Sequence, residues 1–281
     1  MSIRILVRGS NDISSAVAHT LFSAGFSAAI HDIPKPTVTR RKMAFTDAIF
    51  NGNTKLEGVR AFLVNRSFLL RGMLAHHQVI PVSIGKFDEI IKIIRPHILV
   101  DARMYKHKQP ARQLGLAPLT LGLGPNFVAG DTTDLVVETF GNHLGKVLEH
   151  GATLPLQGEP TSIAGHARDR YVYAPCDGTF STLLQPGDSV SQGQFVARIN
   201  QAALYAPLTG ILRGITHDDV VVKVKTKVIE VDPRGAAAEF ATIADRPACI
   251  ANGVLQAIQI WEKKHYADCP LWSFCFLSAH F

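Results

Sequence analysis

The spacing of apolar positions changes along the chain, and the changes divide it. A continuous apolar run at residues 3–7 is followed by Gly9-Ser10-Asn11-Asp12, then by Ile13, Val17, Leu21 and Phe22 at helical spacing, closed by Gly25. That pattern reads as strand, loop and helix. A second apolar run, Ala28-Ala29-Ile30, leads to Asp32, so an acidic residue ends a second strand about 20 positions after the loop, as in ribose-binding βαβ units. Residues 79–84 read as a strand, 87–94 as an amphipathic helix, and 98–100 as a strand ending at Asp101 and Arg103. Residues 119–121 run into a glycine-rich turn. Residues 1–150 are therefore expected to form a Rossmann-like α/β domain around a parallel sheet.

Beyond residue 150 the period shortens. Gly151, Pro155, Gly158, Pro160 and Gly165 predict an exposed connector over 151–170. Then Ala174-Pro175-Cys176-Asp177-Gly178-Thr179-Phe180 returns, 32 residues on, as Ala206-Pro207-Leu208-Thr209-Gly210-Ile211-Leu212. With a turn at Gln185-Pro186-Gly187-Asp188 and alternating Val220, Val222, Val224 and Val228, residues 171–232 resemble the barrel-sandwich hybrid, or hammerhead, of biotinyl and lipoyl domains. Carrier domains of that type hold their modified lysine on the hairpin between the halves. Here that stretch is Arg198-Ile199-Asn200-Gln201-Ala202-Ala203-Leu204-Tyr205, so a scaffold or docking module is expected instead. Lys223, Lys225 and Lys227 alternate as solvated residues on a strand face do. Within residues 233–260, Ile250, Val254, Leu255 and Ile258 fit a helical stripe packing back on the first domain. Residues 261–281, with Trp261, Trp272, Phe274, Phe276 and Phe281, form an aromatic tail that either crosses the domain junction or offers a partner patch.

Composition narrows the function classes. A chain of 281 residues accommodates two compact units, and 47% hydrophobic with 19% charged residues excludes wholesale disorder. The opening apolar run is too short for a signal peptide or a membrane span, so a cytoplasmic protein is expected. Cys176, Cys249, Cys269 and Cys275 form no C-x-x-C pair, which excludes a disulfide scaffold. His265, Cys269, Cys275 and His280 match no common zinc spacing, and no metal is expected. The net charge of +6 is scattered without interleaved aromatics, so it predicts attraction for small anions and no nucleic-acid partner.

Three stretches carry candidate binding chemistry. The first loop supplies Gly9, Asp12 and Ser14, but it lacks G-x-G-x-x-G, and an aspartate at a helix start stabilises the helix and repels phosphate. It is either a nucleotide loop or a capped helix with no dinucleotide. Arg40-Arg41 followed by Lys42 is either a solvated basic face or a bidentate phosphate grip. The run Gly122-Leu123-Gly124-Pro125-Asn126-Phe127-Val128-Ala129-Gly130-Asp131 is long enough to aim several N–H groups at an anion, or else simply reverses the chain. Its candidate ligand contacts are Gly122, Gly124, Asn126, Gly130 and Asp131. His143 serves as an acid–base group or packs, Cys176 reads as a turn residue, and no Ser-His-Asp order, H-E-x-x-H, P-loop or kinase signature specifies a reaction.

Several short motifs stand in a distinctive order: Arg8-Gly9 with Asp12, Arg40-Arg41 with Phe45, Glu57-Gly58-Val59, Leu99-Val100-Asp101-Ala102, Gly122-Leu123-Gly124-Pro125, and Val137-Glu138-Thr139 with His143 and Gly145. They continue with the two Ala-Pro-x-x-Gly halves, Val231-Asp232-Pro233-Arg234 and Gly253-Val254-Leu255. In this order they resemble the YqeB family, accessory proteins of selenium-dependent molybdenum hydroxylase systems related to XdhC-type maturation factors. The resemblance implies a maturation factor working with a molybdenum hydroxylase subunit or other maturation proteins, and a molybdopterin-type cofactor or nucleotide as ligand. Two other functions stay open: an NAD(P)-dependent oxidoreductase using the Gly9 loop and Asp32, and a pure protein-interaction scaffold.

Overall fold

The computed structural model describes residues 3–105, 108–155 and 160–265. In chain order its first strands are β1 (Arg4–Arg8), β2 (Ser27–His31), β3 (Asn53–Leu56), β4 (Val59–Leu63), β5 (Ile80–Ser83), β6 (Ile98–Asp101) and β7 (Leu119–Leu123). They are followed by β8 (Val128–Ala129), β9 (Leu135–Val137), β10 (Val147–Leu148) and β11 (Gly151–Ala152). β8 and β11 pair with each other, and the rest form one nine-stranded sheet in the order β10-β9-β7-β6-β1-β2-β5-β4-β3. Neighbours from β9 to β4 run parallel, and each edge strand, β10 and β3, is antiparallel to its neighbour.

Interior parallel strands need both faces covered, which explains why β2 is buried at every position. The helices are α1 (Asp12–Ser23), α2 (Asp47–Asn51), α3 (Leu70–His76), α4 (Phe87–Ile94) and α5 (Asp245–His265). Ile5, Val7, Ala28 and Ile30 pack on the α1 and α5 side, and Leu6, Ala29 and Leu99 on the α3 and α4 side. The chain steps from β1 outward through β2 to β5, then restarts on the other side of β1 with β6. Strand order therefore reverses between β1 and β6, the kind of crevice in which open α/β sheets hold ligands.

The second unit consists of two four-stranded antiparallel sheets. Its strands are β12 (Tyr171–Tyr173), β13 (Gly178–Ser181), β14 (Ser189–Val190), β15 (Phe195–Ile199), β16 (Ala202–Tyr205), β17 (Gly210–Ile215), β18 (Val220–Val222) and β19 (Lys227–Asp232). The sheets run β12-β19-β17-β14 and β16-β15-β13-β18, and they enclose a separate core that includes Phe180, Val196, Ile199, Leu212, Ile215 and Val231. The two repeat copies lead into β13 and β17, one in each sheet. The stretch without lysine is the β15–β16 hairpin, turning at Asn200 with φ +51°.

Several sequence expectations shift. The basic stretch leads to α2 and then to a β3–β4 hairpin that widens the sheet, where only a short helix was expected. The first two connector residues, Gly151 and Ala152, belong to β11. Of the three alternating lysines, Lys223 and Lys225 are exposed in the turn after β18, whereas Lys227 opens β19 and is half-buried. α5 extends to His265, with Ile250, Val254 and Ile258 buried and Leu255 at the edge of the core. The tail beyond residue 265, including Cys269, Cys275 and His280, lies outside the described residues. Among the described residues no helix is long and apolar enough to cross a membrane.

The units meet along the segment that runs from the end of β2 through α2. Ile215 N–H donates to Thr39 O over 2.8 Å, Arg41 Nε donates to Ile215 O over 2.9 Å, and the Phe50 and His217 rings stack 3.9 Å apart.

Candidate functional site

The carboxyl edge of the sheet carries a transverse row of four polar residues that ends at a glycine. Ser83, His31, Arg8, Asp101 and Gly122 are register partners across β5, β2, β1, β6 and β7, each at or next to the end of its strand. Two residues beyond Leu6 and Leu99, Arg8 and Asp101 share the α4 face. Phe87, the first residue of α4, places its ring 3.8 Å from the Arg8 guanidinium and 5.5 Å from the His31 ring.

Asp101 is the anchor of this row. Arg103 grips it in a bidentate manner, with Nε to Oδ1 at 2.9 Å and Nη2 to Oδ2 at 2.5 Å, while Gln113 Nε2 donates to Oδ2 at 2.6 Å. Burial pushes the Asp101 pKa up, but Arg103, Arg8 and Gln113 together hold it below the usual carboxylate value. Arg8 Nη1 stands 3.7 Å from Asp101 Oδ2 and donates to Gln113 Oε1 at 3.4 Å, while its Nε is buried without a partner among the described residues. Burial draws the Arg8 pKa down and Asp101 offsets part of that effect. Burial likewise lowers the His31 pKa against the opposing effect of its contact with Gly85 O at 2.8 Å. A half-buried guanidinium with an unused donor suits a carboxylate or phosphate oxygen.

The first loop is a cap rather than an open cradle. Asn11, not Asp12, is the N-cap of α1: its Oδ1 accepts from Ile13 and Ser14 N–H, and its Nδ2 donates to Ala102 O at 2.9 Å. Ser14 turns its hydroxyl back to Asn11 O at 3.0 Å. Gly9, at φ +102°, lies against the β6 exit, where a Cβ would come within 3.2 Å of Ala102 O and Arg103 Cα. Asp32 accepts from Ser10 Oγ at 2.6 Å and from Ile33 N–H at 2.8 Å.

The arginine pair is engaged inside the protein. Arg40 donates to Asp12 at 2.9 Å and, through Nε and Nη2, to Glu230 at 3.0 and 3.1 Å. Arg41 is buried, with Nη1 on Asp47 at 3.2 Å in addition to its bond to Ile215 O. Asp12 and Arg40 are thus brought together, with Arg41 turned away from them. Binding phosphate through both arginines would require breaking these pairs.

The glycine-rich turn is pinned from within. Thr153 Oγ1 donates to Gly124 O at 2.6 Å and accepts Phe127 N–H at 3.1 Å, Val128 N–H goes to Thr132 Oγ1, and Gly130 and Asp131 N–H go to Thr133 O and Val128 O. Positive φ at Gly124, Asn126 and Gly130 is spent on reversing the chain. Gly122 closes the transverse row, because a Cβ there would collide with the Phe127 ring. Asp131 is exposed, and His143 is exposed in a short turn, sharing a groove with Cys249 and Asp245.

His31, Gln113 and Phe87 escaped the sequence reading, and Arg8 entered it only within a motif. The available signal was a charged residue closing each of two buried strands, Arg8 and Asp101.

No family model matches the chain. Among solved structures, an aspartoacylase family protein from Mesorhizobium loti aligns with a TM-score of 0.24 and 14% identity over 82% of this chain and 85% of that one. The ectoine utilization protein EutE (DoeB) from Ruegeria pomeroyi aligns with a TM-score of 0.24 and 11% identity over 82% and 86%. Such scores carry no argument about this chain. The sequence itself is 35% identical to the uncharacterized protein YqeB of Escherichia coli strain K12 over 257 residues, 91% of this chain. The chain is thus a relative of YqeB across nearly all of its own length, and it spans about half of that protein, 47%.

Proposed function

We propose that this protein is an accessory or maturation factor of a molybdenum hydroxylase, binding a phosphate-bearing cofactor or nucleotide at the carboxyl edge of its nine-stranded sheet. The observation that carries the binding site is the row at the strand-order reversal, where half-buried Arg8 stacks on Phe87 and keeps an unused Nε–H. The role as accessory factor rests on the order of motifs that resembles the YqeB family. In this reading the α/β unit is Rossmann-like, and the second unit is a barrel-sandwich hybrid without a prosthetic lysine that docks the hydroxylase or another maturation protein in the cytoplasm. The protein's chemistry in this reading is binding and delivery, without classical catalysis.

Calorimetry of the folded protein with molybdopterin, CTP, ATP and NADPH tests the reading. One of these ligands should bind saturably, and Arg8→Gln should weaken it about tenfold, the effect of losing one charge-assisted hydrogen bond. Folded protein that binds none of the four rules the reading out.

A further inference from the structure

The junction between the two units holds more positive charge than its carboxylates can neutralise. Fully buried Glu230 accepts from Arg40 Nε and Nη2, Arg170 Nη1, Arg213 Nη1 and Lys227 Nζ, all within 3.2 Å. A carboxylate offers about four lone-pair sites, so Glu230 is saturated. Asp12 takes the remaining Nη1 of Arg40. The first turn of α5 adds Arg246, an exposed residue that donates to Thr139 O at 2.9 Å and stands within electrostatic reach of Asp12, Arg40 and Tyr171. Among the described residues, Arg40, Arg170, Arg213, Lys227 and Arg246 are thus answered by Glu230 and Asp12, with Asp232 also acting on Arg213 but itself gripped by Arg234.

Accessibility sorts these cations. The side chains of Arg170 and Arg213 are 1% and 8% exposed and are also tied to backbone carbonyls of His166, Thr161 and Glu239. Arg40 and Lys227 reach the surface with 19% and 24% of their side chains, and Lys227 Nζ stands 4.4 Å over the Tyr171 ring. The surplus charge is thus presented outward by Lys227, Arg40 and Arg246.

We infer that this mouth is a second anion site, separate from the strand-end row, and that it takes a phosphate group against Lys227, Arg40 and Arg246. Gathering like charges in a half-buried place is unfavourable, and a dianion seated there relieves the repulsion while gaining charge-assisted hydrogen bonds. Lys227 already registers the strain: burial lowers its pKa to about 8, with Arg40 adding to the effect and Glu230 and Asp12 opposing it. Affinity for an anion should therefore fall as the pH rises past that value and Lys227 loses its proton.

The full chain, titrated with pyrophosphate and with ATP at fixed ionic strength, tests the inference by calorimetry at pH 7 and pH 9. Saturable pyrophosphate binding is expected, weakened about tenfold by Lys227→Met and by Arg246→Gln, each of which removes one charged contact. Binding should also weaken at pH 9 in the native chain but hold in Lys227→Arg. Arg8→Gln separates the two sites, because it removes the strand-end anchor and leaves the junction cations in place. The inference is overturned if folded protein shows no saturable pyrophosphate binding, if only ATP binds, or if both charge-removing variants bind pyrophosphate as the native chain does. Circular dichroism confirms folding of each variant, and exposed Arg246 provides the test if Lys227→Met fails to fold.

Discussion

Glu262, in the last turn of α5, shows how a single residue sets a pH dependence. Its Oε1 is buried without a partner among the described residues, and burial pushes its pKa up to about 7. Between the unfolded carboxyl value and this raised one, the folded chain binds a proton that the unfolded chain has released, so stability falls as pH rises through that window. Urea midpoints measured at pH 5 and pH 8 should drop toward the higher pH, and Glu262→Gln should flatten the difference and raise the midpoint at pH 8. An unchanged slope would mean that the carboxyl is solvated. Periodicity could not reveal this residue, since a glutamate near a helix end reads as solvent-facing. Arg8 and Asp101 were better marked, because a charge closing a buried strand has few places to go. His31 was not, because its role comes from the pairing that places it beside Arg8.

Among the elements, strand and helix identities were legible wherever the apolar period was long and bounded, as in β1, α1, α4 and the stripe of α5. The β3–β4 hairpin was not, because Glu57 and Gly58 turn it with φ of 42° and 89° and the sequence has no Asn-Gly or Asp-Gly signal there. α3 escaped as well, being seven residues long with Gly72 inside. The docking of α5 depends on backbone proximity that a motif only hints at. At Gly253, a Cβ would run into the Gly145 carbonyl oxygen and come within 2.8 Å of Val137 Cγ1. Gly253→Ala should therefore destabilise the protein by about 1–3 kcal/mol, the usual cost of overpacking, measurable by denaturant unfolding. A change near zero would show that the helix can shift on β9 without loss.

At the scale of the whole molecule, two cores are held together through a buried carboxylate. Burial would raise the Glu230 pKa, yet Lys227 and Arg40 hold it well below the usual carboxylate range, so the connection persists in mild acid. Replacing Glu230 with Gln leaves its cations unanswered and should cost roughly 3–5 kcal/mol, with one calorimetric transition separating into two. A single transition at the native temperature would show that the joint carries little. The sequence could not disclose this joint: Arg40 and Glu230 lie 190 positions apart, and local spacing favours reading Arg40-Arg41 as a solvated face or a phosphate grip. The transverse row at the sheet edge has a related consequence. Because side chains alternate across a strand, slipping β6 by one residue against β1 would turn Asp101 to the opposite face and set Val100 or Ala102 beside Arg8. Changes of loop length between these strands leave the row intact, whereas one residue gained or lost inside β6 erases it, so the site is encoded in the alignment of strands as much as in its side chains.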